Sequence, residues 1–198
     1  MISRHEFENA RSKAIDMITK AGIVLSNNEK ETLEVVDFGL SKLNDEGAQI
    51  ATLVQTDRIS VKLLALFPNQ TEPEHWHPAV GDDPGKEETI RMVSGLLYFY
   101  IPGEDTVKMG YIPSGKEECY TVRQEVVMTP GDQLTLTPGT KHWFQAGSEG
   151  AVFYSFSTIA RDVLAEGAVF YSFSTIARDV LDKFTDPAIQ RITQIADE

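Results

Sequence analysis

The chain has 198 residues, of which 41% are hydrophobic and 24% charged, a composition typical of one globular domain with a substantial core. Its formal net charge is −12 and it shows no basic stripe, so we expect a neutral small-molecule ligand and no nucleic-acid partner. The single cysteine, Cys119, excludes an intrachain disulfide. No apolar run is long enough for a membrane span and the N-terminus is too polar for a secretory signal, so the expected location is the cytoplasm.

The first 45 residues predict a helical extension. Apolar residues at helical spacing indicate a helix over residues 3–20, with Ser3 and Glu6 as its capping box. A second helix is predicted from the Asn27/Asn28 cap to about Phe38. Two helices before a β body are expected to act as a lid or buttress.

From Ala48 the apolar period changes to two, which indicates strands. A loop is predicted at residues 80–86, and turn signals recur about every 8–12 residues, which favours a sandwich or barrel. We therefore predict a single domain, with the barrel over residues 46–181 and a tail over residues 182–198 that contains a short helix at residues 188–195. The predicted strands cover residues 49–54, 59–66, 88–93, 96–101, 119–123, 125–128, 133–137 and 142–145.

Residues 150–164 recur letter for letter at residues 167–181, an offset of 17. Perfect identity is unlike a diverged structural repeat and indicates a local duplication. A closed sheet has room for one copy at a given strand position. The other copy is therefore expected to bulge, extend or pair elsewhere.

Three of the four histidines lie in two apolar, turn-bounded runs. His75 and His77 are two residues apart, so on a strand their imidazoles point to the same face. Glu88 and His142 complete a set of three imidazoles and one carboxylate. Neutral imidazole suits Zn, Mn, Fe, Co, Ni or Cu, and the carboxylate moves the preference toward harder ions. The residues therefore predict a divalent metal site and leave the identity of the ion open.

The spacing around these residues resembles the two cupin motifs. Five residues separate Asn69 from His75, six separate Glu88 from Gly95, and two separate Gly139 from His142. The departures are Asn69 in place of a Gly, Thr137 in place of a Pro, Ala146 in place of an Asn, and a longer gap of ten residues between His77 and Glu88. Asn tolerates a left-handed backbone, so the first change is mild.

Longer runs resemble the D-lyxose ketol-isomerase family of cupins, and the most specific are residues 86–89 and 141–147. The resemblance implies a double-stranded β-helix (jelly roll), a divalent ion that is usually manganese, and a homodimer. It also implies interconversion of D-lyxose with D-xylulose and of D-mannose with D-fructose. The runs that carry it are residues 73–78, 85–91, 120–122, 140–147, 149–152 and 184–187.

Aldose–ketose isomerisation moves a proton between C1 and C2 through an ene-diol. Lys86, two residues before Glu88, is expected to face the same cavity and to protonate or steady a sugar oxygen, as a catalytic residue. The resemblance also implies a carboxylate base four or five positions past Gly150, where this chain has Ser155, and Ser172 in the second copy. Serine cannot serve as a carboxylate base. The acids that remain as substitutes are Glu149, Asp162, Glu166, Asp179, Asp182 and Asp186.

Aromatic residues Tyr98, Trp143 and Phe144 are expected to line the cavity, and Gln145 to bond a sugar hydroxyl. Three other functions stay open. A cupin-type phosphoglucose isomerase would need a phosphate clamp, for which the motifs show no Lys/Arg cluster. A metal-dependent oxygenase or decarboxylase would consume oxygen or release carbon dioxide. A non-catalytic sugar-binding cupin is favoured by serine at position 155.

Overall fold

A computed structural model describes residues 1–158, 182–191 and 193–196. The first repeat copy is described as far as Thr158. The end of the first copy with Asp162, the linking residue Glu166, and the second copy with Ser172 and Asp179 lie outside the described residues, so the predictions on them stay predictions.

The N-terminal segment contains one long helix and one short one. Helix α1 spans Arg4–Lys20, and the Ser3 Oγ accepts a hydrogen bond from the Glu6 backbone N–H at its start. Helix α2 spans only Asn27–Glu31, so the prediction of a helix to Phe38 is wrong. Residues Glu34–Val36 form a strand instead, because they pair with the first long strand of the barrel and bury two valine side chains.

The described part of the chain is mainly β, as predicted. The strands are β1 (Ile2–Ser3), β2 (Glu34–Val36), β3 (Ala48–Gln55), β4 (Ile59–Leu66), β5 (Thr71–Trp76), β6 (Glu88–Ile101), β7 (Gln124–Met128), β8 (Gln133–Leu136), β9 (His142–Thr158), β10 (Lys183–Phe184) and β11 (Ile195–Ala196).

Strands β6 and β9 are the long central pair of the sheet. One edge of β9 pairs with β6, and the other edge pairs with β4 and β5. The predicted strands at residues 88–93 and 96–101 form the one strand β6, with register shifts at Met92/Ser94 and Gly95/Leu97. Such bulges bend a strand and increase its twist, which lets the sheet curl round its own inner face.

Two apolar clusters hold this curled sheet. The inner cluster lies within the sheet and includes Leu64, Ile90, Phe99, Phe144 and Phe153. The second cluster lies between the outside of β3 and β4 and the buried face of α1, so α1 acts as the predicted buttress.

The segment 102–123 covers the outer face of β6 and β9. Trp143, Tyr100 and Tyr120 pack together there, so Trp143 and its neighbour Tyr98 point away from the inner cavity and the prediction that they line it is wrong. The predicted strand at residues 119–123 is also absent, because this stretch bonds to side chains of the sheet rather than to a neighbouring strand.

The C-terminal tail, from residue 182 onward, packs against strand β5. Strand β10 pairs with β5, placing Phe184 opposite His75. The predicted helix at residues 188–195 is wrong, since none of the described residues in that range is helical. Asp186 accepts a hydrogen bond from the Ala188 backbone, which favours a turn.

No helix in the described ranges is both long and apolar enough to cross a membrane.

Candidate metal centre

Register explains why the predicted ligands meet. His75 lies opposite His142 on the β5/β9 ladder, and directly opposed residues of an antiparallel pair share a face. Glu88 begins β6, two residues before the inward-facing Ile90, so it shares that face. His77 follows the end of β5. The loop between His77 and Glu88 is the longer gap noted in the sequence.

The four predicted ligand side chains form one buried cluster. Each offers a ligand atom, and these atoms all lie within 4.8 Å of one another. The exposed fractions are 3% for His75, 4% for His77, 6% for Glu88 and 0% for His142. The arrangement therefore has the donor number and burial that a protein-bound metal ion requires.

The hydrogen bonds of the three imidazoles fit a metal ion. The Nδ1 of His75 bonds to the Pro73 carbonyl at 2.8 Å, and the Nδ1 of His142 bonds to the Thr140 carbonyl at 2.8 Å. A carbonyl can only accept, so each Nδ1 carries the proton and each Nε2 keeps a lone pair directed into the cluster. The Nε2 of His142 is buried without a hydrogen-bond partner among the described residues, as expected of an atom that can act as a metal ligand.

His77 differs because its Nδ1 bonds to a carboxylate, Asp182, at 2.7 Å. A carboxylate behind a metal-binding imidazole fixes the ring and raises its basicity. Its Nε2 lies 3.1 Å from Glu88 Oε2. Burial and Lys86 lower the pKa of His77, but the bonds to Asp182 and Glu88 outweigh them and the pKa is raised.

The remaining groups of the cluster favour metal-binding protonation states. Burial lowers the pKa of His75 to about 4, with a further contribution from His77. Burial also holds the pKa of His142 well below its usual value. Burial alone would raise the pKa of Glu88, but Lys86 and His77 hold it well below its ordinary value. At neutral pH the centre therefore offers neutral His75 and His142 and an ionised Glu88.

The predicted catalytic residue Lys86 lines the same pocket. Its Nζ lies 3.5 Å from Glu88 Oε1, and its side chain is 18% exposed. Ser155 lies on the other side of that carboxylate, and its Oγ donates to Glu88 Oε1 at 2.5 Å. The two oxygens of Glu88 are thus held by neighbours on three different segments.

The structure narrows the search for a substitute base. Asp182 lies at the pocket, but its carboxylate holds His77. Asp186 pairs with Lys116 at 2.7 Å on the outer side, and Glu149 is exposed. None of these three is placed as a free base in the pocket. The other three candidates lie outside the described residues.

Sequence reasoning missed Glu72. It lines the pocket with His75, Lys86 and Glu88, and burial raises its pKa to about 7. A spacing of three residues from His75 predicts opposite faces of a regular strand, and only the register shift in β5 brings both to the same face. No feature of the sequence marks that shift.

Three cationic side chains line the pocket, although the sequence showed no cluster near the motifs. They are Lys62 from β4, Lys86 from the loop before β6, and Arg191 from the tail. Phe144 lines the pocket as predicted. Gln145 does not, because it lies on the opposite face and bonds to Thr71 and to the Tyr111 backbone.

Known proteins include relatives of this chain that match it over nearly its full length. No family model matches the chain. It is 45% identical over 191 residues to the D-lyxose ketol-isomerase of Cohnella laeviribosi, which covers 96% of both chains. It is 41% identical over 198 residues to the D-lyxose/D-mannose isomerase of Thermosediminibacter oceani, over the full length of both. The chain belongs to the D-lyxose ketol-isomerase family. It is accordingly a sugar ketol-isomerase, as the sequence resemblance implied.

Solved structures confirm the fold. The L-ribose isomerase of Cellulomonas parahominis superposes with a TM-score of 0.78 at 16% identity, covering 98% of both chains. The L-ribose isomerase of Acinetobacter sp. DL28 in complex with L-ribose gives 0.72 at 14% identity, also over 98% of both. At such identities the likeness concerns the fold, which is the predicted cupin double-stranded β-helix with N-terminal helices.

Proposed function

We propose that this enzyme is a metal-dependent aldose–ketose isomerase that interconverts D-lyxose with D-xylulose and D-mannose with D-fructose. The observation that carries the metal requirement is the set of three inward Nε2 atoms and one Glu88 carboxylate around a single point. The names of the two relatives supply the aldoses D-lyxose and D-mannose, and the family resemblance implies the corresponding ketoses.

His75, His77, Glu88 and His142 would hold the ion. When bound, a divalent cation acts as a Lewis acid that favours negative charge on the sugar oxygens. The donor set suits Mn, Fe, Co, Zn or Ni, and manganese is the ion that the family resemblance implies. Four protein ligands leave coordination positions for sugar oxygens on an ion that accepts six.

Lys86 is proposed as a catalytic residue. Its ammonium lies beside Glu88 and inside the pocket, where a sugar oxygen next to the reacting carbons would also lie. There it donates a hydrogen bond to the oxygen that gains charge and passes a proton between O1 and O2. Burial of the surrounding cluster strengthens this interaction, because the dielectric screening is lower than in water.

The single domain over residues 1–198, the homodimer and the cytoplasmic location stay predictions. Size-exclusion chromatography with light scattering tests the dimer, since a dimer has twice the 22.0 kDa chain mass.

The function is tested by metal analysis of the purified protein, followed by ketose formation from D-lyxose and D-mannose with each divalent ion. We expect about one ion per chain and turnover that chelation abolishes and manganese restores. Sugar binding without turnover under saturating metal would contradict the proposal and favour a non-catalytic cupin. Oxygen consumption by an iron-loaded sample would contradict it in favour of an oxygenase.

The phosphosugar alternative has support from one observation, the three cationic side chains that line the pocket. Phosphate recognition commonly uses such groups. Fructose 6-phosphate is therefore assayed beside the free sugars. Turnover of the phosphorylated sugar alone would replace the proposed substrates with sugar phosphates.

A further inference from the structure

The proposed reaction needs a group that removes the proton from C2 and returns it to C1. The position at which the family resemblance implies a carboxylate holds Ser155, whose hydroxyl is engaged with Glu88. The question of which residue replaces it rests on the proposed function, because a non-catalytic protein needs no such group.

The register of β5 against β9 places one further carboxylate on the inner face. Glu72 lies opposite Phe144, and His75 lies opposite His142. Three steps along β5 thus match two steps along β9, which is the signature of a β-bulge. Because Phe144 and His142 both face inward, Glu72 and His75 do so as well.

The carboxylate of Glu72 is close to the metal ligands and is not fully used by the protein. Its Oε1 lies 3.9 Å from His75 Nε2, and its side chain is 12% exposed. Its Oε2 is buried and has no hydrogen-bond partner among the described residues. A buried carboxylate oxygen without a donor costs free energy, so its retention in the pocket points to a ligand that uses it.

The other described carboxylates at or near the pocket already have hydrogen-bond partners. Glu88 belongs to the ligand set and is bonded on both oxygens. Asp182 holds the Nδ1 of His77. Glu74, two residues from Glu72, faces the opposite side of β5 and bonds to Thr121 and Val122.

We propose that Glu72 is the catalytic base that carries the proton between C1 and C2, in place of the carboxylate missing at position 155. Its carboxylate takes the C2 proton while the C2–H electron pair forms the C1=C2 bond and O1 gains a proton. The resulting carboxylic acid then returns the proton to C1 as O2 loses its proton and C2 becomes a carbonyl. The net change moves one hydrogen from C2 to C1 and one from O2 to O1, with no oxidant or reductant.

The test compares Glu72→Gln with wild type, and Glu149→Gln serves as the control because Glu149 is an exposed acid in the same sheet. For each protein we would measure metal content, thermal midpoint, calorimetric affinity for D-mannose and kcat. Incorporation of solvent deuterium at C2 of the recovered aldose is followed by NMR. Glutamine keeps the size of the side chain and loses only its ability to take a proton.

In Glu72→Gln we expect metal content and mannose affinity within about twofold of wild type and a fall in kcat of about 10²–10⁴-fold, the usual contribution of a general base. Deuterium exchange at C2 should fall in parallel, while Glu149→Gln keeps the wild-type values. Turnover or C2 exchange near the wild-type rate in Glu72→Gln would overturn the assignment, and so would loss of the metal, which would make Glu72 a ligand. Absence of turnover in metal-loaded wild type would instead overturn the proposed function itself.

Discussion

The two faces of strand β5 carry buried carboxylates of opposite kinds. On the outer face, Glu74 accepts hydrogen bonds from the Thr121 and Val122 backbone and from the Thr121 and Thr185 hydroxyls, with Lys141 at 3.4 Å. On the inner face, Glu72 keeps an oxygen that has no donor among the described residues, and in the same part of the chain the facing His142 of β9 keeps an Nε2 without a partner.

A second outer carboxylate behaves like Glu74. Glu46 is 1% exposed, accepts from the Tyr120 hydroxyl at 2.6 Å and pairs with Lys116 at 2.8 Å. Lys116 also pairs with Asp186, so this network joins the covering segment to the tail. The comparison teaches that burial alone does not identify a functional acid. A buried carboxylate whose oxygens all accept hydrogen bonds stabilises the fold. One that keeps lone pairs without a donor, next to other unsatisfied polar atoms, is available for catalysis.

The largest effect is expected from an inner imidazole. His77→Ala should abolish both metal retention and turnover, because it removes one ligand and with it the imidazole to which Asp182 and Glu88 are bonded. Elemental analysis and the ketose assay check this. The control is His5→Ala, since His5 is exposed on α1. Metal retention or turnover in His77→Ala would contradict the assigned ligand set.

Truncation on the outer face should act on stability instead. Glu74→Ala leaves two backbone N–H groups without their acceptor and removes the carboxylate that pairs with Lys141, so we expect a loss of about 3 kcal/mol in the free energy of unfolding. Denaturant titration measures this, with the exposed Glu149→Ala as control. The comparison of the two faces would be broken if Glu74→Ala kept its stability and lost catalysis in the metal-loaded protein.

Asp182 tests the boundary between the two kinds of acid, because it is near the pocket but acts through His77. Asp182→Asn should weaken metal affinity about 10–100-fold, the usual effect of altering the partner of a metal-binding imidazole. Competition with a chromophoric chelator measures the affinity, and the exposed Asp57→Asn is the control. Unchanged metal affinity with a loss of turnover would return Asp182 to the list of proton carriers.

Sequence periodicity predicted the features that depend on regular strands. His75 and His77 were expected to share a face because their spacing is two, and the turn-bounded runs predicted a sandwich or barrel. The cupin fold itself was implied by the family resemblance. Glu72 could not be predicted as a pocket residue, because a register shift between Glu72 and His75 changes which side chains of β5 face inward. The neighbouring sequence does not mark that shift. Lys62 and Arg191 escaped because a pocket gathers residues that are distant in the chain.

Two wrong predictions, the helix that was to reach Phe38 and the cavity position of Trp143, have the same physical cause. In both, contacts with a distant segment of the chain decide the structure. Residues Glu34–Val36 have helical spacing yet pair with β3, which supplies their backbone hydrogen bonds. The prediction that Trp143 lines the cavity rests on the general fit of aromatic residues to sugars. In the structure its indole N–H donates to the Val122 carbonyl on the outer face, at 2.7 Å. The covering segment that provides this acceptor has no regular pattern to reveal it.

The smallest effect is expected from substitution of Glu125, an acid of strand β7 that contacts the segment 102–123. Its carboxylate accepts hydrogen bonds from the backbone of Lys108, Met109 and Gly110 and from the Tyr100 hydroxyl. Burial would raise its pKa, but these donors outweigh burial and lower the pKa below the ordinary 4.5. A folded-state pKa below the unfolded one gives stability that is complete above pH 4.5 and is lost as the pH falls through the folded value.

Glu125→Gln should therefore cost about 1 kcal/mol at neutral pH, a modest value because the site is partly exposed and screened. The difference from wild type should shrink as the pH falls below 4.5, since the wild-type carboxylate is then protonated as well. Denaturant titrations of both proteins over a range of pH measure this, with the exposed Glu149→Gln as control. A difference that stays constant with pH would mean that Glu125 stabilises the covering segment by its shape. The hydrogen bonds from the surrounding donors would then be equally strong with a neutral side chain. The charge of the outer acids would not contribute to stability, and the distinction between outer and inner acids would fail.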